Sequence, residues 1–308
     1  RQTRRYFRYQ SGKGIQFSTG SILKPMLWPD SITSSGTTVT VTCKFPHGLS
    51  VNAQIQVTGA QQTAYNGIFT VASTPTTLSF TYTATTTPTS TPATGFPIYI
   101  SPYSWYGARN RIGMFDSQNG IFYEYDGQTM YAVKRSSTYQ LSGSIAVNAG
   151  AQAVTGTNTL FTSQLAPLDN IVIRGMTYQV QSIISDTSLI IYPEYRGATN
   201  MTNAIVSKTI DTKFPQSSWN IDKADGTGVS GFNLDLTKMQ MFYMDYSWYG
   251  AGEIRFGFRN TRGEVMYCHR IPNNNLNYLA WMRSGNMCGR YETNTITYNS
   301  LLTATLSS

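Results

Sequence analysis

The chain has 308 residues with 41 Thr, 26 Gly and 21 Tyr but only 5 Glu and 8 Lys, so strand-forming residues are abundant and helix-forming residues scarce. This composition disfavours a helical bundle and an alternating α/β sheet, and the 40% of hydrophobic residues excludes wholesale disorder. The formal net charge is +8, yet the charges nearly balance beyond the first 29 residues, which excludes a uniformly basic surface. We therefore expect a mostly β protein of one large domain or two to three small ones.

The first 29 residues carry the excess positive charge. Six Lys and Arg residues lie there without any Asp or Glu. Aromatic residues are interleaved with them, an arrangement that either binds phosphates and stacks bases or docks on an acidic neighbouring subunit. We favour docking, because nucleic-acid binding usually spreads basic charge over a whole face. The residues assigned to this arm are Arg1, Arg4, Arg5, Tyr6, Arg8 and Lys13.

Residues 31–97 differ in composition from the rest of the chain. They contain one charged residue, Lys44, and 26 Ser or Thr residues in 67 positions. Short runs of alternating character recur about every ten residues, which predicts a small β-sandwich or barrel inserted into a surface loop. The Thr- and Pro-rich segment 85–92 predicts an exit linker that does not pack.

A pentapeptide, Ser-Trp-Tyr-Gly-Ala, occurs at 104–108 and again at 247–251. Short runs rich in β-branched and aromatic residues follow each copy and are joined by Gly-containing turns, which predicts two β-meanders as related halves of one scaffold. The aromatic residues of the repeat are predicted to be core, because both copies stand at the entrance of a meander; a saccharide platform or a protein interface is the alternative. These scaffold aromatics are Trp105, Tyr106, Trp248 and Tyr249.

A second series of short strands, at 141–208, predicts another small β module with one short helical turn at 161–165. The chain as a whole is predicted to be a discontinuous antiparallel β-scaffold with two inserted small β-sandwich or barrel modules. The scaffold comprises 1–30, 98–140 and 209–292, the inserts are 31–97 and 141–208, and residues 293–308 are a tail or the start of a further segment.

Residues that could support catalysis are few. The chain has two His residues, His47 in a turn and His269 at the end of an aromatic strand, and neither belongs to a known catalytic motif. Asp222 and Asp225 lie near glycines, as in a calcium loop, but the twelve-residue pattern and its closing Glu are missing, so a plain turn is favoured. We expect no cofactor, no metal and no enzymatic activity.

The remaining global features are mostly negative. Cys43, Cys268 and Cys288 lack short paired spacings, which disfavours both a zinc ribbon and a disulfide framework. The sequence has no run of about 18 apolar residues, so we expect no membrane span. It starts at Arg1 rather than Met, which we expect of a processed product or of part of a longer protein.

Three stretches carry a resemblance to a known family. They are the opening Arg-Arg-Tyr-Phe-Arg-Tyr-Gln-Ser-Gly-Lys-Gly-Ile-Gln at 4–16, the segment 218–231 with its Ser-Trp-Asn-Ile-Asp start, and the segment 238–252 that contains the second pentapeptide. They resemble virion structural proteins of tailed bacteriophages, notably marine cyanophages with contractile tails. Both predicted inserts also resemble small β domains that decorate tail and baseplate proteins, so the resemblance covers most of residues 1–292.

The resemblance implies a structural subunit of a phage particle, located in the virion. A tail or baseplate position is implied first, and a neck or capsid accessory role is the alternative. Such a subunit would act through interfaces with other virion proteins and with copies of itself in a symmetric assembly. A second hypothesis is that one insert binds a host-surface glycan or receptor, and a third is an enzyme that degrades a surface polysaccharide. Nucleic acid is disfavoured as a partner.

Overall fold

The computed structural model describes residues 1–10, 12–23, 26–102, 108–248 and 251–295. Strands account for 51% of the chain and helical residues for 4%, which confirms the mostly β prediction. The strand pairs among these residues are antiparallel, as the hairpin-rich sequence predicts.

The strands are short and follow one another closely. Those before residue 141 are β1 (Gly14–Ser21), β2 (Pro29–Ser35), β3 (Thr38–Cys43), β4 (Gln54–Thr58), β5 (Gly67–Thr76), β6 (Ser79–Thr83), β7 (Tyr99–Pro102), β8 (Ala108–Phe115), β9 (Gly120–Tyr125) and β10 (Met130–Gln140). Those after it are β11 (Ser144–Val147), β12 (Ala153–Thr157), β13 (Asn170–Ile173), β14 (Met176–Ser185), β15 (Ser188–Tyr192), β16 (Met201–Ala204), β17 (Val206–Pro215), β18 (Gln240–Ser247), β19 (Ile254–Arg259), β20 (Val265–Ile271) and β21 (Gly289–Thr295). The helical elements are α1 (Phe161–Gln164) and two 3₁₀ turns, Thr63–Tyr65 and Gln216–Ser218.

The strands form three sheets. A four-stranded sheet has the order β1-β18-β19-β20, and a six-stranded sheet has the order β2-β3-β6-β5-β4-β7. The third sheet has eleven strands, in the order β16-β11-β12-β15-β14-β13-β17-β10-β9-β8-β21. Both predicted meanders are confirmed, as β8-β9-β10 after the first pentapeptide and as β19-β20 after the second.

The two meanders pack on each other through an aromatic core. Tyr123 of β9 lies at its centre, with ring centroids 5.3 Å from Phe242, 5.3 Å from Phe256 and 5.2 Å from Phe258. Its hydroxyl donates a hydrogen bond of 3.0 Å to the carbonyl of Gly257 on β19. Since alternate residues of a strand point to opposite faces, the repeated pattern of aromatic and β-branched residues supplies one face of each sheet to this sandwich.

The six-stranded sheet encloses a separate apolar cluster drawn from residues between Ile32 and Ile100. The segment 85–92, predicted as a linker that does not pack, lies against this sheet. Thr91 accepts a hydrogen bond from the backbone of Ser34 at 2.9 Å, and the backbone N–H of Ala93 donates to Ile32 at 2.8 Å. The prediction is wrong because hydroxyl and backbone groups of the segment satisfy the exposed edge of β2, so its polarity does not keep it from packing.

The strands between residues 141 and 208 also have a cluster of their own, and the predicted helical turn is present as α1. Their sheet is continuous with the scaffold, because β17 pairs with β13 on one side and with β10 on the other. In the six-stranded sheet, β7 pairs with β4, so residues 99–102 lie in that sheet although the predicted scaffold starts at 98. The division of the chain into independently folding units stays a prediction.

Candidate functional site

The basic arm runs along an edge of the chain's own sheet. Thr3 donates its backbone N–H to Gly289 at 2.9 Å, and Phe7 exchanges two backbone hydrogen bonds with Met287. The arm therefore docks by its backbone beside β21, whose other neighbour is β8. This placement of the backbone leaves the side chains free to face outward.

The charged side chains of the arm are exposed and unpaired. They are Arg1, Arg4, Arg5, Arg8 and Lys13. Within the part of the chain that the structure describes, none of these side chains forms an ion pair. Tyr6 is 48% exposed among them. The arm thus presents a cluster of cations and an aromatic ring to solvent, and no carboxylate of the described chain neutralises it.

The predicted scaffold aromatics are described only at Trp248. Its side chain is 60% exposed and its backbone φ is +54°, so it lies in a turn at the end of β18 and contributes nothing to the aromatic core. The core prediction is wrong for Trp248, because the chain turns outward before β19 begins. Trp105, Tyr106 and Tyr249 lie outside the described residues.

The two weak metal candidates are acceptors in a turn. Asp222 accepts backbone hydrogen bonds from Ala224 at 2.8 Å and from Ser230 at 2.9 Å, and Asp225 accepts from the backbone and hydroxyl of Thr227. Burial would raise the pKa of Asp222, but the bonds from Ser230 and Ala224 outweigh it and hold that pKa below its ordinary value. Both carboxylates thus stabilise the turn that follows Trp219.

Both histidines are buried, and each accepts a backbone N–H. His47 accepts the backbone N–H of Leu49 at 2.9 Å and contacts the carbonyl of Thr76 at 3.0 Å through its other ring nitrogen. His269 is buried, with its ring 4.7 Å from that of Phe214, and burial lowers its pKa to about 4. A His with that pKa is neutral near pH 7, so it acts as a packed side chain.

A buried charged face lies on the opposite side of the eleven-stranded sheet from the aromatic core. Arg111 on β8 lies across from Glu124 on β9 and from Glu292 on β21, and donates to them at 2.6 Å and 2.9 Å. Arg135 on β10 lies across from Asp211 on β17 and donates two hydrogen bonds to it, at 2.7 Å and 2.8 Å. The register that pairs the strands therefore also pairs the charges.

Aromatic rings form the floor of this charged face. The guanidinium carbon of Arg135 lies 5.6 Å from the ring centroid of Phe115 and 5.1 Å from that of Phe122. Arg111 lies 5.3 Å from the same Phe122 ring. A glycine is required across from Phe122, because a Cβ on Gly113 would come within 2.6 Å of the Phe122 Cα. Cation–π contacts and bidentate pairing together hold the arginines in fixed positions.

Two carboxylates of the charged face, Asp211 and Glu292, are held in the ionised form. Burial would raise the pKa of Asp211, but hydrogen bonding to Arg135 and the charges of Arg135, Arg111 and Lys213 lower it below its ordinary value. Burial likewise opposes the effect of Arg290 and Arg111 on Glu292, whose pKa is also lowered. Groups held ionised in this way form a cross-link between strands and do not serve as general acids near pH 7.

The charged face is not among the features predicted from the sequence. The partners of Arg111 lie 13, 100 and 181 residues away along the chain, so only the strand register reveals that they meet. A usable signal was present in the alternation of Arg109 and Arg111 within a β-rich run, since one face of a strand carries every second residue. The net charge beyond residue 29 is near zero, and a net charge does not show that opposite charges are clustered in one place.

A polar groove of about 700 Å³ lies between the six-stranded sheet and the scaffold. Uncharged hydrogen-bonding side chains dominate its walls, and tyrosine rings and a short run from Asn233 to Lys238 complete them. The six-stranded sheet supplies Gln56, Thr58, Tyr99 and Ser101, from the antiparallel pair β4 and β7. Amides, hydroxyls and aromatic rings around one cavity are suited to hydrogen-bond and stack on a sugar ring.

Three further features of the described residues concern metal sites, membrane spans and thiols. Within 1–10, 12–23, 26–102, 108–248 and 251–295, no three His, Cys, Asp or Glu side chains are grouped so as to hold a metal ion. The same ranges contain no helix with the length and apolar character needed to span a bilayer. The three cysteines are buried free thiols.

Comparisons with known proteins give little similarity. No family model matches the chain, and no curated protein matches it. Among solved structures, the phage phi92 endosialidase aligns with 82% of this chain and 40% of its own, at 11% identity and a TM-score of 0.19. This chain therefore spans less than half the length of that protein, and a TM-score of 0.19 does not indicate a shared fold.

Proposed function

We propose that this chain is a structural subunit of a tailed-phage particle, in the tail or baseplate, and that it acts through protein–protein contacts without catalysis. The resemblance of residues 4–16, 218–231 and 238–252 to virion structural proteins supports a role in the particle. The observation that carries the proposal is the basic arm, whose five cationic side chains are exposed and form no ion pair within the described residues, while the backbone of residues 1–7 is fixed beside residues 287–291. Cations held in this way can pair with carboxylates of another subunit.

Exposed aromatic side chains support the same role. Trp28 is 64% exposed and Trp248 is 60% exposed. Trp and Tyr are enriched in the centres of protein interfaces, where their large apolar area is removed from water. The proposed partners are other virion proteins with acidic surfaces and further copies of this chain in a symmetric assembly.

Electron microscopy of intact particles tests the location, and charge reversal tests the arm. We expect the arm to be buried between subunits in the particle. We expect the double variant Arg4→Glu/Arg5→Glu to reduce incorporation by about tenfold or more, since two favourable charge pairs become repulsive. The matched control is Arg262→Glu, which reverses an exposed arginine in a turn. A solvent-exposed arm in the particle, or normal incorporation of the double variant, would overturn the proposal.

A second candidate function is binding of a host-surface glycan in the polar groove. The supporting observation is the lining of this groove, in which amides and hydroxyls lie beside Tyr99. We expect the variant Gln56→Ala/Tyr99→Ala to assemble normally but to adsorb to host cells about tenfold more slowly, because it loses hydrogen bonds and a stacking surface. Gln152→Ala, at an exposed position outside the groove, is the control. Unchanged adsorption of the double variant removes this candidate.

A further inference from the structure

A cleft of about 550 Å³ opens beside the charged face, where the scaffold strands meet the strands of residues 141–208. Arg111, Arg135 and Asp211 of the charged face form one wall. The opposite wall and the rim come from β13, β14, β17 and the ends of β8 and β21. Polar and charged residues also line the cleft outside this wall: Arg109, Asp169, Asn170, Gln179, Thr209 and Asn294.

Arg109 differs from the other two arginines of the cleft. Arg111 and Arg135 donate from all their nitrogens to carboxylates or to a backbone carbonyl. Among the described residues, the charged partner of Arg109 is Glu124, whose carboxylate oxygen lies 3.8 Å from Nη1, an ion pair beyond hydrogen-bond length. Its Nε is buried and, within the described residues, has no hydrogen-bond partner. Arg109 therefore keeps donor capacity that the chain does not use.

Glu124 does not satisfy Arg109, since it lies beyond hydrogen-bond distance and its two oxygens accept from two other cations. Arg111 donates to one carboxylate oxygen at 2.6 Å and Lys213 to the other at 2.5 Å. The connected network contains three carboxylates, on Glu124, Asp211 and Glu292. Its five cations are Arg109, Arg111, Arg135, Lys213 and Arg290. Of these groups, Arg109, Arg111, Arg135 and Asp211 line the cleft, so the cleft has three cations and one carboxylate beside the charged face. An excess of positive charge in a partly buried place attracts an anion.

The remaining carboxylate of the cleft does not cancel this excess. Asp169 is paired with Lys208 at 2.6 Å and accepts the backbone N–H of Ala166 at 2.7 Å. It is therefore neutralised by its own partner. An anion that enters the cleft meets Arg109 as the group with free donors.

Neutral polar groups surround Arg109. The hydroxyl of Thr209 is buried and, among the described residues, has no hydrogen-bond partner. The amide of Asn294, across from Arg109 in the β8–β21 pair, donates to Glu292 at 2.8 Å and leaves its oxygen available. The amides of Asn170 and Gln179 complete the set. Hydroxyls and amides beside a cation match a ligand that carries both an anionic group and hydroxyls.

We propose that this cleft binds a saccharide that carries an oxyanion group, with Arg109 receiving the anion and Thr209 and the amides receiving sugar hydroxyls. The oxyanion can be a carboxylate, a phosphate or a sulfate, which share planar or tetrahedral oxygens that accept from a guanidinium. This site is independent of the function proposed above, because it rests on the contacts of the cleft alone, includes no residue of the arm and shares no lining residue with the polar groove.

Calorimetric titration of the full chain with glucuronate, glucose 6-phosphate, glucose 6-sulfate and glucose tests the site. We expect at least one charged sugar to bind about tenfold more tightly than glucose, and Arg109→Gln to remove about that factor, because a charge-assisted hydrogen bond is lost. Comparison of the three charged sugars identifies the oxyanion. Arg262→Gln, which changes an exposed arginine outside the cleft, is the control and leaves the affinity unchanged.

Further variants keep the test decisive if Arg109→Gln does not fold. Thr209→Val preserves side-chain shape and removes the buried hydroxyl, and we expect a several-fold loss of affinity for the charged sugar. Absence of binding by all three charged sugars at tens of millimolar overturns the proposal, as does binding that neither variant weakens. Inorganic phosphate or a glutamate-rich peptide that binds more tightly than the sugars also overturns it, because the hydroxyls would then contribute nothing.

Discussion

Tyr123 and Glu124 are neighbours on β9 that are both fully buried, yet they lie in opposite environments. Tyr123 points into the aromatic core between two sheets, whereas Glu124 points into the charged face and is held by Arg111 and Lys213. The difference shows that the two faces of this sheet bury their side chains for different energetic reasons. One face is stabilised by removal of apolar surface from water, and the other only tolerates burial because each charge has a partner.

The largest loss of stability is expected when the central ring of the aromatic core is removed. Tyr123→Ala removes a ring that contacts four others and should cost about 4 kcal/mol of unfolding free energy through lost burial and a cavity. Denaturant unfolding followed by tryptophan fluorescence measures it. Tyr278→Ala, at a fully exposed side chain, is the control and should change stability by less than about 0.5 kcal/mol. A loss at Tyr123 as small as that of the control would show that the two meanders do not share one core.

Breaking the charged face should cost somewhat less. Glu124→Gln keeps the shape of the side chain but leaves Arg111 and Lys213 without their shared carboxylate, and we expect a loss of about 3 kcal/mol. The same unfolding measurement applies, with Glu264→Gln at an exposed position as its control. If Glu124→Gln left the unfolding free energy unchanged, solvent would have to reach Arg111 and Lys213, and this face would not be buried in solution.

On acidification, the aromatic face and the charged face should lose their contributions to stability in different pH ranges. The pKa of His269, beside the aromatic core, is lowered to about 4 from an ordinary value near 6.5. The unfolded chain therefore takes up this proton first, so stability is full above pH 6.5 and falls as the pH drops towards 4. Asp211 and Glu292 have lowered pKa values, so their contribution is full above about pH 4 and is lost only below it.

Unfolding measured from pH 7 to pH 3 in two variants checks this order. His269→Gln should flatten the stability profile between pH 6.5 and 4 and leave the region below pH 4 unchanged. Asp211→Asn should flatten the profile below about pH 4 instead. An unchanged slope between pH 6.5 and 4 in the His269 variant would contradict the assignment.

The smallest effect concerns the one hydrogen bond that crosses the aromatic core from Tyr123. Tyr123→Phe keeps the ring contacts and loses the bond to the carbonyl of Gly257, which should cost about 1 kcal/mol. Comparison with Tyr123→Ala separates the contribution of the hydroxyl from that of the ring. A loss as large as that of the alanine variant would mean that the hydrogen bond, and not the ring packing, joins the two sheets.

The contrast between the faces also explains what the sequence could predict. The meanders were predictable because Ile121 to Tyr125 and similar runs have local strand preference and Gly-containing turns, and both properties act over a few residues. The charged face was not, because its pairs depend on a register between strands distant in sequence. Trp248 was misassigned because repetition of a motif does not determine on which side of a turn a ring lies.

The position of β1 has a consequence for biosynthesis. All eight of its residues pair with β18, so that Gly14 lies across from Ser247. At an elongation rate of 5–20 residues per second, β1 leaves the ribosome roughly 10 to 50 seconds before its partner exists. During that interval its half-apolar face and both its edges are open to other chains. The four-stranded sheet of this protein can therefore be completed only late in synthesis, although its first strand is made early.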